Sequence, residues 1–190
     1  IGLVMALRQR DVQARTATSM PAIIDGYRDE LLTELPFSLT DGQRRVIAEI
    51  DEDLSGTVPM MRLLQGEVGS GKTLVATCAM LQAVDAGKQA ALLAPTEVLA
   101  VQHGASISKS VPDGVTVTVL TGSMKTADKR HALLEIVSGE ADIVIGTHAI
   151  IQDTVEFFDL GLVIVDEQHR FGVEQRDSLR TKTREGTSPH

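Results

Sequence analysis

The sequence predicts a layered α/β fold: a mainly parallel β-sheet with helices on both faces. Two observations carry this. From residue 36 onward, apolar runs of strand length alternate with amphipathic helical stretches. A glycine-rich loop also joins one such run directly to the helix that follows it. Strands alternating with helices are joined by crossovers, which makes neighbouring strands parallel and covers both faces of the sheet.

Taken in order, residues 1–35 read as a helical linker remnant apart from the main domain at 36–190. A short helix is expected at 3–14, then the polar break "RTATSMP", then "AIIDGYRDELLTEL". The strand candidates are "RLLQ" (62–65), "AALLA" (90–94), "VTVTVL" (115–120), "DIVIG" (142–146) and "LVIVD" (162–166). Helices are expected between them at 41–54, 72–86, 96–109 and 126–138. In such sheets ligands gather at the carboxyl ends of the strands.

Composition narrows the class. A length of 190 residues suits one domain, and 43% hydrophobic with 23% charged content is that of an ordinary globular protein. No apolar stretch approaches the ~20 residues a membrane span needs, so no membrane partner is expected. The opening "IGLVMAL" is too short for a signal-peptide core and lacks a basic stretch before it. A start at Ile1 suggests a piece of something longer. One cysteine, Cys78, allows no internal disulfide and fits a reducing cytoplasm. A net charge of −8 excludes a wholesale basic coat but leaves room for a local nucleic-acid face. Aromatics at 3% make a stacking platform for single strands an improbable device.

The chemistry begins at "GEVGSGKT", residues 66–73, which fits G-x-x-x-x-G-K-[ST] at every required position. It follows "RLLQ" and opens the helix "TLVATCAMLQAVDAG". Glycines let backbone N–H groups curl round phosphate oxygens, and the helix N-terminus adds partial positive charge. Gly66, Glu67, Val68, Gly69, Ser70 and Gly71 form the cradle, Lys72 reaches the β/γ-phosphates, and the Thr73 hydroxyl binds Mg²⁺. The run "LVIVD" then ends in two carboxylates, Asp166 and Glu167. Isolated buried charges are costly without a partner. Magnesium is such a partner, because it takes one or two carboxylates plus substrate phosphates. Asp166 is therefore expected to hold the ion and Glu167 to act as general base toward the attacking water.

A phosphate loop followed by Asp166-Glu167-Gln168-His169 resembles the superfamily 2 helicases and translocases, and "RFG" with "GVEQR" after it resembles their RecG branch. The resemblance covers about 35–182 and implies a RecA-like fold, ATP as nucleotide, branched or fork DNA as partner, and a bacterial cytoplasm. "LPFSLTDGQ" resembles the Q motif, placing Gln43 at the adenine edge with Phe37 and Thr40 shaping the pocket. Residues 40–43 also read as a helix capping box. "APTEVLAVQH", "LTGS" and "IGTHAII" resemble the motifs that contact nucleic acid, with Thr96, Thr121, Gly122 and Thr147 as phosphate contacts. Each threonine alone also suits a helix cap. Gln168 and His169 would link nucleotide state to DNA contact.

The chain stops before any Ser-Ala-Thr motif III, so the resemblance implies the first motor lobe, without its second RecA-like lobe or N-terminal wedge domain. The competing readings are a transcription-repair coupling translocase, disfavoured by Gln168, and a nucleotide-switch module, disfavoured by retention of Glu167. His103, His131 and His148 show no metal-ligand spacing, and Cys78 reads as a core residue. The stretch 51–56, "DEDLSG", reads as a solvated helix end.

Overall fold

The structure, a computed structural model, describes residues 16–60, 62, 64–66, 71–152, 154–166, 178, 182 and 187–190. The helix expected at 3–14 lies outside them. The described helices are α1 (Tyr27–Thr33), α2 (Asp41–Ser55), α3 (Lys72–Asp85), α4 (Glu97–Ser110) and α5 (Thr126–Ser138), with a 3-10 turn at His148–Ile151. The strands are β1 (Gln89–Leu93), β2 (Val117–Leu120), β3 (Ile143–Gly146) and β4 (Leu160–Val165). All are parallel, in the order β2-β3-β1-β4.

Period-2 alternation divides the strand side chains between two cores. Ala90, Leu92, Ile143, Ile145 and Leu162 face α1–α4, whereas Ala91, Leu93 and Val144 face α5 and the 3-10 turn, joined by Leu160, which a register shift opposite Gln89 and Ala90 turns away from the Leu162 side. The strands are apolar on both sides because both sides are covered. Helix α3 shows the same logic, since Val75 and the whole run from Thr77 to Val84 are buried. Truncating the fully buried Ile145 to alanine is expected to cost about 2–5 kcal/mol. Chemical denaturation checks this, and a loss below 1 kcal/mol would mean that the β3 core is looser than it looks.

The described residues before 35, from 16 onward, pack against this body. Met20 and Leu31 belong to the first core, and Asp85 at the end of α3 accepts the N–H groups of Tyr27 (2.7 Å) and Arg28 (3.2 Å) at the start of α1.

Two expectations need correction. The described residues of "RLLQ", 62, 64 and 65, are not in the sheet. Arg62 is drawn to α2 by Glu49 (2.7 Å) and Asp53 (2.8 Å). The outer edge of β4 is meanwhile bonded to the backbone of His190, through Val163 N–H and Gly161 C=O, both at 2.8 Å. The acids of 51–56 are not simply solvated either. Asp51 accepts from Gln82 at 2.9 Å and lies 3.7 Å from Arg28, while Leu54 is fully buried.

Candidate nucleotide and nucleic-acid site

The parallel register sets one functional edge. Leu93 pairs with Gly146 and Val165, and Leu120 pairs with Gly146, so all four strands end at the same level. The residues just beyond them are Thr96, Thr121, Thr147 and Asp166.

At the phosphate loop, Gly71 has φ +82, a left-handed conformation that favours glycine, and it is the N-cap of α3. Gly71 has no side chain with which to cap this helix, and helix N-termini of this kind favour an anion. Lys72 and Thr73 follow at once, both exposed, and Lys72 Nζ donates to the Gly66 carbonyl at 2.7 Å. Glu67, Val68, Gly69 and Ser70 lie outside the described residues.

Both meanings of the 40–43 stretch meet here. Thr40 and Gln43 form the capping box: Thr40 Oγ1 accepts the Gln43 N–H at 3.2 Å, and Gln43 Oε1 accepts the Thr40 N–H at 2.9 Å. Gln43 Nε2 also lies 2.1 Å from where a Cβ on Gly71 would sit, so the Gln43 amide touches the phosphate loop. Phe37 is 56% exposed nearby in sequence, an apolar ring open to a ligand.

Asp166 closes β4. Its N–H donates to Leu93 C=O at 2.8 Å, and it continues the Leu162–Ile164 side of the strand, toward α3 and α4. There Asp166 Oδ2 meets His103 Nε2 at 2.6 Å. His103, read from the sequence only as lacking metal-ligand spacing, thus has a carboxylate partner. The signal lay in its place on α4, seven residues after Thr96, but only the tertiary fold brings it to Asp166. Cys78 is buried as expected, and burial pushes its thiol up to about 11. Glu167, Gln168, His169 and Arg170 lie outside the described residues.

Along the remaining strand ends, Thr96 caps α4 by accepting the Leu99 N–H at 3.2 Å. Thr121 is only 3% exposed, so that turn presents Gly122 and Ser123 to the surface instead. Ser123 donates its N–H and its hydroxyl to Glu97, a residue the sequence did not single out, and Gly122 lies beside the same carboxylate. Thr147 starts the 3-10 turn without a side-chain cap and is half-buried.

Comparison with known proteins places this arrangement. The family model for DEAD/DEAH box helicases matches residues 40–188. The chain is 51% identical over 204 residues to the ATP-dependent DNA helicase RecG of Mycobacterium leprae (strain TN), covering 100% of this chain and 28% of the relative. It is 56% identical over 148 residues to the RecG of Streptococcus pneumoniae serotype 4, covering 78% of this chain and 22% of that protein. The chain thus spans about a quarter of the length of these relatives. Among solved structures, RecG bound to a three-way DNA junction superposes with TM-score 0.84 at 38% identity, over 98% of this chain and 25% of that one. The DEAD-box helicase Mss116 bound to ssRNA shares the fold, with TM-score 0.63 at 19% identity, over 91% of this chain and 41% of that one.

Proposed function

The chain belongs to the DEAD/DEAH box helicase family, and from that premise we propose that it is the first RecA-like motor lobe of a RecG-like, ATP-dependent DNA helicase or translocase that remodels stalled forks and branched DNA. Residues 36–190 would form the lobe, with 1–35 leading into it. The carrying observation is the shared carboxyl edge, at which Asp166 and the Thr96, Gly122 and Thr147 ends stand, and it supports this reading together with the phosphate-loop glycine that opens α3.

Each residue then has a task. The backbone of Gly66–Gly71 and Lys72 would hold the β- and γ-phosphates, and Lys72 would leave Gly66 C=O to do so. Gln43 would meet the adenine edge beside Phe37 and Thr40. Asp166 and the Thr73 hydroxyl are hard oxygen donors, the kind magnesium prefers, so the donor set fits that ion. Magnesium, when bound, would neutralise charge building on the phosphates. His103 would fix the Asp166 carboxylate from behind, as outer partners of metal ligands do. Glu167 would take the proton of the attacking water, and Gln168 with His169 would connect that site to DNA. A second RecA-like lobe would supply the other wall of the cleft and the arginine that stabilises the transferring phosphoryl, worth about 10³–10⁵ in rate. A wedge domain would engage the fork.

The test is ATP hydrolysis by a whole protein carrying this lobe, with and without a model fork. Strong stimulation by branched DNA is expected. Hydrolysis indifferent to DNA would remove the translocase reading.

A further inference from the structure

The first turn of α4 and the turn after β2 share one carboxylate. Glu97 Oε1 accepts the Ser123 N–H at 3.0 Å, and its Oε2 accepts the Ser123 hydroxyl. The Ser123 hydroxyl above all holds the Glu97 carboxyl below its ordinary range, against an opposing push from burial and with lesser help from the neighbouring backbone. A Cβ on Gly122 would stand 3.3 Å from Glu97 Oε1, so a bare backbone is what admits the carboxylate so closely.

The chemistry of this contact is that of an anion on neutral donors. Consecutive backbone N–H groups and a hydroxyl around two oxygens are what a turn offers a phosphodiester. Gly122 and Ser123 are exposed, so a backbone phosphate can reach them. The described ion pairs include none to Glu97, so neutralising a cation does not explain its position.

We propose that Glu97 is a built-in competitor of the nucleic-acid backbone: its carboxylate fills the donors of the Gly122–Ser123 turn, and a DNA phosphate must displace it to bind there. This rests on the DNA reading given above. Displacement is easy to undo, because Glu97 lies in the first turn of α4, where the helix N-terminus favours a carboxylate even after release. A lone phosphate gains little by evicting it. A DNA strand that also engages Thr96 and Thr147 pays for the eviction with contacts made elsewhere, as multivalent ligands do. Glu97 would thereby set a threshold that selects a continuous backbone over small anions.

The test measures binding of a fluorescent DNA duplex to the 190-residue chain by anisotropy at low salt. Glu97→Ala frees the donors and removes the charge. Glu97→Asp keeps the charge but is one methylene shorter and draws the oxygens back. Both are expected to bind roughly tenfold more tightly than wild type, the scale of one charge-assisted hydrogen-bonded contact. Glu140→Gln, in the turn leading into β3 at the opposite edge of the sheet, removes a charge without touching the site and is expected to bind like wild type. The Ser123 amide resonance is expected to move in both Glu97 variants, and in wild type when DNA is added.

Measurable binding with equal affinity in all forms would overturn the competitor while leaving the DNA reading intact. A rise shared equally by Glu140→Gln would do the same, by tracing the effect to net charge. Absence of binding by every form would remove the DNA reading and the competitor together.

Discussion

Replacing Glu167 with glutamine is expected to leave Mg-ATP binding intact and to cut turnover by about 10²–10⁴, the usual contribution of a general base. The amide keeps the size and much of the hydrogen bonding of the acid but cannot accept the proton of water. Asp166→Asn is expected to behave differently, weakening the magnesium-dependent part of binding, because it loses a charged oxygen ligand. The difference follows from position: Asp166 is the residue whose N–H is pinned to Leu93 C=O and whose carboxylate meets His103. Single-turnover hydrolysis and calorimetry on a whole protein carrying this lobe separate the two. Identical binding and rate defects in both variants would refute the division of labour.

Lys72→Ala is expected to weaken nucleotide binding by about 10–100-fold, since hydrogen bonds to charged groups contribute about 1.5–3 kcal/mol each. Its ammonium rests on Gly66 C=O in an exposed position, so removing it should leave thermal stability within about 0.5 kcal/mol of wild type. Nucleotide contacts would therefore be lost without loss of the fold. Titration calorimetry of the 190-residue chain with Mg-ADP is the measurement. Equal affinity for wild type and variant would sink the phosphate-loop assignment.

Much of the architecture was legible because local pattern and tertiary demand agree. The helices at Asp41–Ser55, Lys72–Asp85, Glu97–Ser110 and Thr126–Ser138 begin and end within a residue of where periodicity and caps place them. The strands after Gln89 carry apolar residues on both faces, which only a covered sheet rewards. Where the reading failed, the deciding partner was distant in sequence. "RLLQ" has strand character, but Arg62 is claimed by acids on α2 and the edge of β4 is bonded to residue 190. His103 looks like any histidine on a helix until β4 brings Asp166 to it, 63 residues away. Glu97 meets Ser123 across 26 residues, and no local spacing rule announces such a pair. Thr121 illustrates the converse: a hydroxyl at a strand end looks available, yet the fold buries it and leaves the backbone beside it to face solvent.

Gln43 carries an implication for which nucleotides this lobe can tell apart. Its carbonyl end completes the capping box of α2, and its amide end lies against Gly71. A base that recruits this side chain must first take it from the helix, and losing a cap costs about 0.5–2 kcal/mol. A neutral hydrogen bond to a base returns about 0.5–1.5 kcal/mol. The two nearly cancel, so adenine gains little over another base through Gln43. On the nucleotide reading proposed above, selectivity at this end of the molecule would therefore be shallow, with affinity drawn from the phosphates and little from the letter attached to them.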